Sequence, residues 1–178
     1  GNILLNKYPT DPELINVIGV INTALNNLEE AIKNFKKVVD LNPSYSGVHY
    51  NLATLLENRG ESSKAYHYFF KALLVSPDWF RPYNAVGTYW YENADFESAA
   101  LFLEKLLKIK CDSAVFYDKL ANTYIHLNKV RASTSLFDNA INIAPELSEL
   151  YYNRGRPAFL LGEFNVAISF FKRALLTN

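Results

Sequence analysis

Four prolines of this 178-residue chain, Pro9, Pro43, Pro77 and Pro145, fall on one frame of 34 residues, and Cys111 takes the vacant slot. Other columns keep the same phase. Ten residues past each slot stands a small residue: Gly19, Ala53, Gly87, Ala121 and Gly155. In the second half of each unit come Ala31, Ala65, Ala99, Ser133 and Ala167, again small. Four residues later stand Phe35, Phe69, Leu103, Phe137 and Phe171, all large and apolar. A period of this length belongs to helix–turn–helix units that bury their apolar faces only by stacking on one another.

Within each half-unit, apolar residues recur at three and four residues, the stripe of an amphipathic helix. Small positions let two antiparallel helices approach closely, and the large column fills the space beside them. The reading is all-α, built of paired helices. Between the halves stand Asn26, Gly60, Asn128 and Gly162, residue types that tolerate the left-handed backbone after a helix end. Ala94 breaks that column and predicts a less tidy turn. Ser44, Asp78 and Asp112 are candidate N-caps for the following helices, and Asp11 caps a helix with Pro12 in its first turn.

These columns resemble the tetratricopeptide repeat. "AIKNFKKVVDLNP" (31–43) and "AYHYFFKALLVSP" (65–77) are close to the second helix of that family, and the resemblance covers essentially the whole chain. Complete units run 12–45, 46–79, 80–113 and 114–147, with an incomplete one at 148–178 and residues 1–11 as the tail of a preceding repeat. The resemblance implies a right-handed superhelical solenoid of antiparallel helix pairs, with a concave groove lined by first helices that binds peptides or protein segments. Two positions depart from the pattern. Arg154 stands in a column otherwise held by Ile18, Leu52, Val86 and Leu120. Pro157 lies in the fifth first helix, where a lost donor and a steric clash predict a kink or an early break near residue 156.

Lysine plus arginine equals aspartate plus glutamate, 18 each, so no net field recruits nucleic acid, and no basic stripe follows a helix face. Apolar runs are too short for membrane insertion. Cys111 is the single cysteine, which excludes an internal disulfide; it reads as an incidental surface thiol. His49, His67 and His126 are not spaced as a helical metal pair, and neither a phosphate loop nor a nucleophile elbow occurs. His49 shares a column with Ile15, Tyr83, Tyr117 and Tyr151 and reads as a packed, hydrogen-bonded ring. No catalytic residue, metal or cofactor is expected.

The site expectation is therefore the groove. Its candidate residues are Tyr50, Asn51 and Thr54 in one first helix and Arg81, Asn84, Thr88 and Tyr91 in the next. Asn122 and His126, then Tyr152, Asn153 and Arg156, follow in the later ones. Asn16, Val20, Asp118 and Lys119 face the same way. Val20, Thr54, Thr88, Asn122 and Arg156 form one track whose amides and hydroxyls suit an extended peptide backbone, with rings beside them. Chaperone-binding members of the family clamp a terminal carboxylate with Lys and Asn side chains plus an Arg. The matching places here hold Asn16, Val20, Asn51, Arg81 and Ala85, or one unit later Tyr50, Thr54, Ala85, Val115 and Lys119, so that clamp is not expected. Glu13, Glu57, Glu92 and Glu149 make the face mixed to slightly acidic.

The function expected is a non-catalytic interaction scaffold holding a protein or peptide partner. The alternative is the recognition arm of a larger enzyme of glycosyltransferase or sulfotransferase type. A cytoplasmic location is favoured. Tyr68 and Phe70 mark an outer aromatic surface, expected to be half-buried against the neighbouring repeat. Leu175 and Leu176 have no following helix to cover them. The expectation is that the natural protein continues past Asn178 or, failing that, that two molecules pair as a homodimer through these ends.

Overall fold

The apolar periodicity of each half-unit resolves into a helix. The computed structural model describes residues 10–109 and 112–177, and these hold ten helices. They are α1 (Pro12–Ala24), α2 (Leu28–Leu41), α3 (Ser46–Asn58), α4 (Ser62–Val75), α5 (Phe80–Glu92), α6 (Phe96–Lys108), α7 (Ala114–His126), α8 (Val130–Ile143), α9 (Ser148–Leu160) and α10 (Phe164–Leu176). No strand occurs among the described residues. Cys111 and residues 1–9 lie outside them.

The chain forms two compact units, Gly1–Val86 and Gly87–Asn178, whose boundary falls within α5. In the first, α1 packs on α2, α2 on α3 and α3 on α4. In the second, α6 packs on α7, α7 on α8, α8 on α9 and α9 on α10. Odd-numbered helices also meet their own kind: α1 touches α3 and α7 touches α9. Those contacts place first helices side by side, which is what builds the candidate site.

The small and large columns meet as their sizes require. Gly19 lies against Phe35 so closely that a Cβ there would stand 2.5 Å from the ring, and at Gly87 it would stand 2.9 Å from Leu103. Gly155 faces Phe171 in the same way. Phe35, Leu103 and Phe137 are buried, as are Ala31, Ala65, Ala99, Ser133 and Ala167. Close approach without a void is what lets short helix pairs hold a core.

The proline slot has a second partner. Tyr83 and Tyr151 donate their hydroxyls to the carbonyls of Pro77 and Pro145, each at 2.9 Å. His49 does the same through Nε2 to the Pro43 carbonyl at 2.7 Å. A carbonyl only accepts, so that nitrogen carries the proton. At these three slots the ring six residues on thus ties down the turn between repeats. His49 is a packed structural ring, buried and facing Tyr68 at 6.2 Å. Tyr68, Phe102 and Phe170 are half-buried, as the aromatic column predicts, while Phe70 remains exposed.

Turns within the pairs are more uniform than the sequence predicts. Asn26, Gly60, Asn128 and Gly162 are left-handed, and Ala94 joins them with φ 58°. In each, the next residue's N–H reaches five residues back: Asn27 to Asn22, Glu61 to Leu56, Asp95 to Trp90, Lys129 to Tyr124 and Glu163 to Ala158. The third turn is therefore regular. Hydrogen bonding of the helix end overrides alanine's preference, and Ala94 bears the steric cost, about 1–2 kcal/mol.

Capping follows the expectation at one end only. Asp11 accepts from the N–H groups of Glu13 and Leu14 at 2.9 and 3.1 Å. Ser44, Asp78 and Asp112 stand too early: α3 and α7 have Tyr45 and Ser113 at the cap, and α5 begins at Phe80. The proline turn takes up the extra residue, closed by Tyr45 N–H to the Asn42 carbonyl at 3.1 Å. Asp95 supplies a cap that the columns did not single out, accepting from the Ser98 N–H at 3.0 Å and the Ser98 hydroxyl at 2.9 Å.

The early break expected in the fifth first helix does not occur. α9 does not break at Pro157 but runs through it to Leu160, and Leu161 N–H still bonds the Pro157 carbonyl at 3.0 Å. The proline is buried, and three residues of helix suffice after it. Tertiary packing holds a conformation that local preference opposes. Arg154, the charge in an apolar column, reaches Asp138 at 2.7 Å and lays its guanidinium 4.7 Å from the centre of the Phe170 ring. The side chain is mostly buried, with its Nε on the half-exposed Asp138 carboxylate.

Candidate functional site

In the first unit the face is built by α1 and α3. Asn16 donates to the Tyr45 hydroxyl at 3.2 Å, and Asn51 donates to Asn16 Oδ1 at 3.1 Å. That chain fixes which way each amide points. Thr54 and Thr23 turn their hydroxyls back to the carbonyls of Tyr50 and Gly19, both at 3.0 Å, which spends their hydroxyl protons within their own helices. Tyr50 rests on Phe69 and Trp79, with ring centres 5.4 and 4.8 Å away. Beside these residues opens a cavity of about 300 Å³, lined by Val20, Thr23, Ala24, Phe35, Tyr50, Asn51, Thr54, Leu55 and Asn58. Arg81 is exposed and Asn84 half-buried.

Ala24 and Asn58, absent from the expected set, share the column that supplied His126. Following that column backwards by two and three periods would have found them. Phe35, whose large apolar column reads as packing from sequence, and Leu55 form the floor, and both are buried.

In the second unit the expected residues bond mainly to each other. Lys119 Nζ donates to Thr88 Oγ1 at 2.6 Å. Asn153 donates to Asp118 Oδ1 at 2.9 Å, Asn122 to Asp118 Oδ2 at 3.1 Å, and Arg156 to Asn122 Oδ1 at 2.8 Å. Burial raises the Asp118 carboxyl above its ordinary value. The Asn153 bond pulls it back, the Glu149 charge pushes it up again, and Arg156 and Asn122 oppose. Asp118 also borders a 510 Å³ hollow at the starts of α7 and α9, with Val115, Glu146 and Glu149 on its walls.

Further along α7, the exposed His126 stacks on Phe96 with ring centres 4.1 Å apart and planes 4° from parallel. The Tyr91 hydroxyl lies 3.5 Å from His126 Nε2. Tyr152 tilts on Phe171 at 5.6 Å and stays 56% exposed. Among the described residues, no group of three or more His, Cys, Asp or Glu could hold a metal ion. What these faces offer is amide groups, aromatic area and a few charges, the means of recognition by contact.

The side-by-side first helices give the described residues the fold of a tetratricopeptide-repeat solenoid, their ten helices fitting about five tandem repeats. A family profile described as TPR repeat matches residues 19–60. A UDP-N-acetylglucosamine–peptide N-acetylglucosaminyltransferase of Giardia intestinalis is 28% identical over 116 residues, 65% of this chain and 8% of that protein. Human tetratricopeptide repeat protein 6 is 22% identical over 83% of this chain and 28% of its own length. This chain therefore spans a small part of both relatives. Among solved structures, YrrB, described as a TPR protein with an unusual peptide-binding site, aligns with a TM-score of 0.91 at 15% identity, covering 99% of this chain and 91% of that one. A structure of MamA aligns at 0.86 and 19%, covering 93% and 91%. Those identities speak for fold alone. Among the described residues no helix is long and apolar enough to cross a membrane.

Proposed function

We propose that this array is a non-catalytic scaffold that holds an extended segment of a partner protein against its first helices. The observation carrying this reading is the open cavity between α1 and α3, set beside amides whose orientation is fixed. A preformed concave site with few, placed polar groups is what a bound segment needs. The peptide-binding site ascribed to YrrB, a protein of the same fold, agrees with it. Tyr50, Asn51, Thr54, Arg81, Asn84, Thr88, Tyr91, Asn122, His126, Tyr152, Asn153 and Arg156 remain the proposed contact set. Within it, Thr88, Asn122, Asn153 and Arg156 serve chiefly to hold neighbouring helices in register.

The test is capture of partners by the wild-type chain and by a triple variant, Arg81→Ala, His126→Ala and Tyr152→Ala, which alters solvent-accessible side chains. Partners bound by the first and lost by the second support the reading. Identical capture by both, with helicity unchanged, removes these residues from the site.

A second reading rests on the match to the Giardia transferase, in which the aligned stretch is 8% of the protein: the array would be the recognition arm of a larger enzyme. A transferase domain in the same reading frame decides for it. Cytoplasmic placement and indifference to nucleic acid belong to the scaffold reading, and salt-sensitive binding of random RNA would count against the latter. Leu175 and Leu176 are 79% and 84% exposed, and pairing of two copies through them is proposed. Light scattering should show a dimer that Leu176→Glu dissolves.

A further inference from the structure

The cavity between α1 and α3 is specific in its chemistry, and the selectivity inferred for it deepens the scaffold reading and rests on it. None of its lining side chains is charged at neutral pH. Thr23 and Thr54 spend their hydroxyl protons on their own helices. Phe35, nearly fully buried, forms part of the floor, and Val20 on the wall is 46% exposed. A cation or carboxylate entering here would lose water and gain no counter-charge, which is costly. An aliphatic side chain would lose only unfavourable hydration.

Polar groups border the same space in a defined way. Asn51 donates to Asn16, so its Oδ1, which accepts no bond among the described residues, is left as an oriented acceptor. The Asn58 side-chain amide has no partner among the described residues. Seven residues separate them, two turns of α3 and about 10 Å along its axis. An extended strand covers that distance in about three residues at roughly 3.3 Å each. We infer that the cavity is a socket for one uncharged, aliphatic side chain at the centre of an extended three-residue stretch of a partner protein. Asn51 Oδ1 accepts a backbone N–H on one side of it, and the Asn58 amide pairs a backbone group on the other.

The probe is a blocked tripeptide, N-acetyl-Gly-Leu-Gly-N-methylamide, titrated into isotope-labelled protein and followed by amide NMR. Counterparts with Ser, Lys or Glu at the centre serve as controls. The Leu probe should shift the α1 and α3 amides around Val20, Thr54 and Asn58 and half-saturate at least tenfold below the others. Equal responses to all four, or shifts confined to other helices, overturn the inference. Val20→Glu, at an exposed position, should keep the helical spectrum and lose at least tenfold in affinity for the Leu probe; unchanged affinity also overturns it. A partner captured equally by wild type and Val20→Glu, yet lost by the exposed triple variant, leaves the scaffold standing and removes the socket. Tripeptide binding with no partner captured does the reverse.

Discussion

Asn153 donates a 2.9 Å hydrogen bond to the carboxylate of Asp118, which lies 35 residues earlier on the neighbouring first helix. Asn51 and Asn16 repeat the relationship in the first unit, at the same separation and 3.1 Å. One more residue than the repeat period carries a side chain onto the helix beside it. Such bonds tie stacked first helices together through the face proposed to meet a partner, so the proposed binding residues and the scaffold residues are partly the same.

Asp118 gives this tie a pH signature. Its carboxyl is raised above the ordinary 3.8, first by burial. Between that value and its folded one, the folded protein holds more protons than the unfolded chain, so this group's contribution to stability falls as pH rises. It is most favourable below the ordinary value and is lost through the folded value. Wild type should therefore gain stability relative to Asp118→Asn as the solution is acidified through this range, measured as the difference in urea midpoint. A difference independent of pH would refute the assignment.

Gly19 is a tight packing constraint. A methyl group there would meet the buried Phe35 ring at 2.5 Å. Alanine gains about 1 kcal/mol in helix propensity, while overpacking of this kind costs about 1–3 kcal/mol. Gly19→Ala should lower stability by up to about 2 kcal/mol in chemical denaturation, and Gly19→Ala with Phe35→Leu should recover much of it.

Ala94 tests the turn. Its exposed left-handed backbone, φ 58°, costs about 1–2 kcal/mol, and glycine relieves that while losing part of it to unfolded-chain entropy. Ala94→Gly should stabilise the protein by about 0.5–1 kcal/mol with an unchanged denaturant slope. No gain would mean that the turn relaxes in solution.

Pro157 sets backbone against packing. Replacing it restores a helix donor worth about 3 kcal/mol, against the loss of two buried ring methylenes at about 0.8 kcal/mol each. Pro157→Ala should stabilise by about 1 kcal/mol in thermal or urea unfolding. Destabilisation would show that the ring's fit within the fold outweighs the hydrogen bond.

How much can be read from residues alone depends on the kind of interaction. The proline frame, the small and large columns and the left-handed Asn and Gly positions are local or periodic, so a linear chain displays them. The ring column is visible too, but its donation to the proline carbonyl is not, because that bond depends on how the turn closes. The caps shift by one residue for the same reason: Ser44 and Asp112 have suitable side chains, yet the turn geometry puts Tyr45 and Ser113 at the helix start.

The sequence by itself determined that the chain forms paired helices in repeating register, because side-chain size and amphipathic period act over a few residues. Tertiary structure alone decided three matters: that Ala94 adopts a glycine's conformation, that α9 continues through Pro157, and that Thr88, Asn122 and Arg156 bind neighbours while Val20, Thr54 and Asn58 border an open cavity. The first turns on the hydrogen bonds that close a helix end, the other two on what a side chain meets on an adjacent helix. That depends on distances between helices far apart in the chain, and a residue's own chemistry does not carry it.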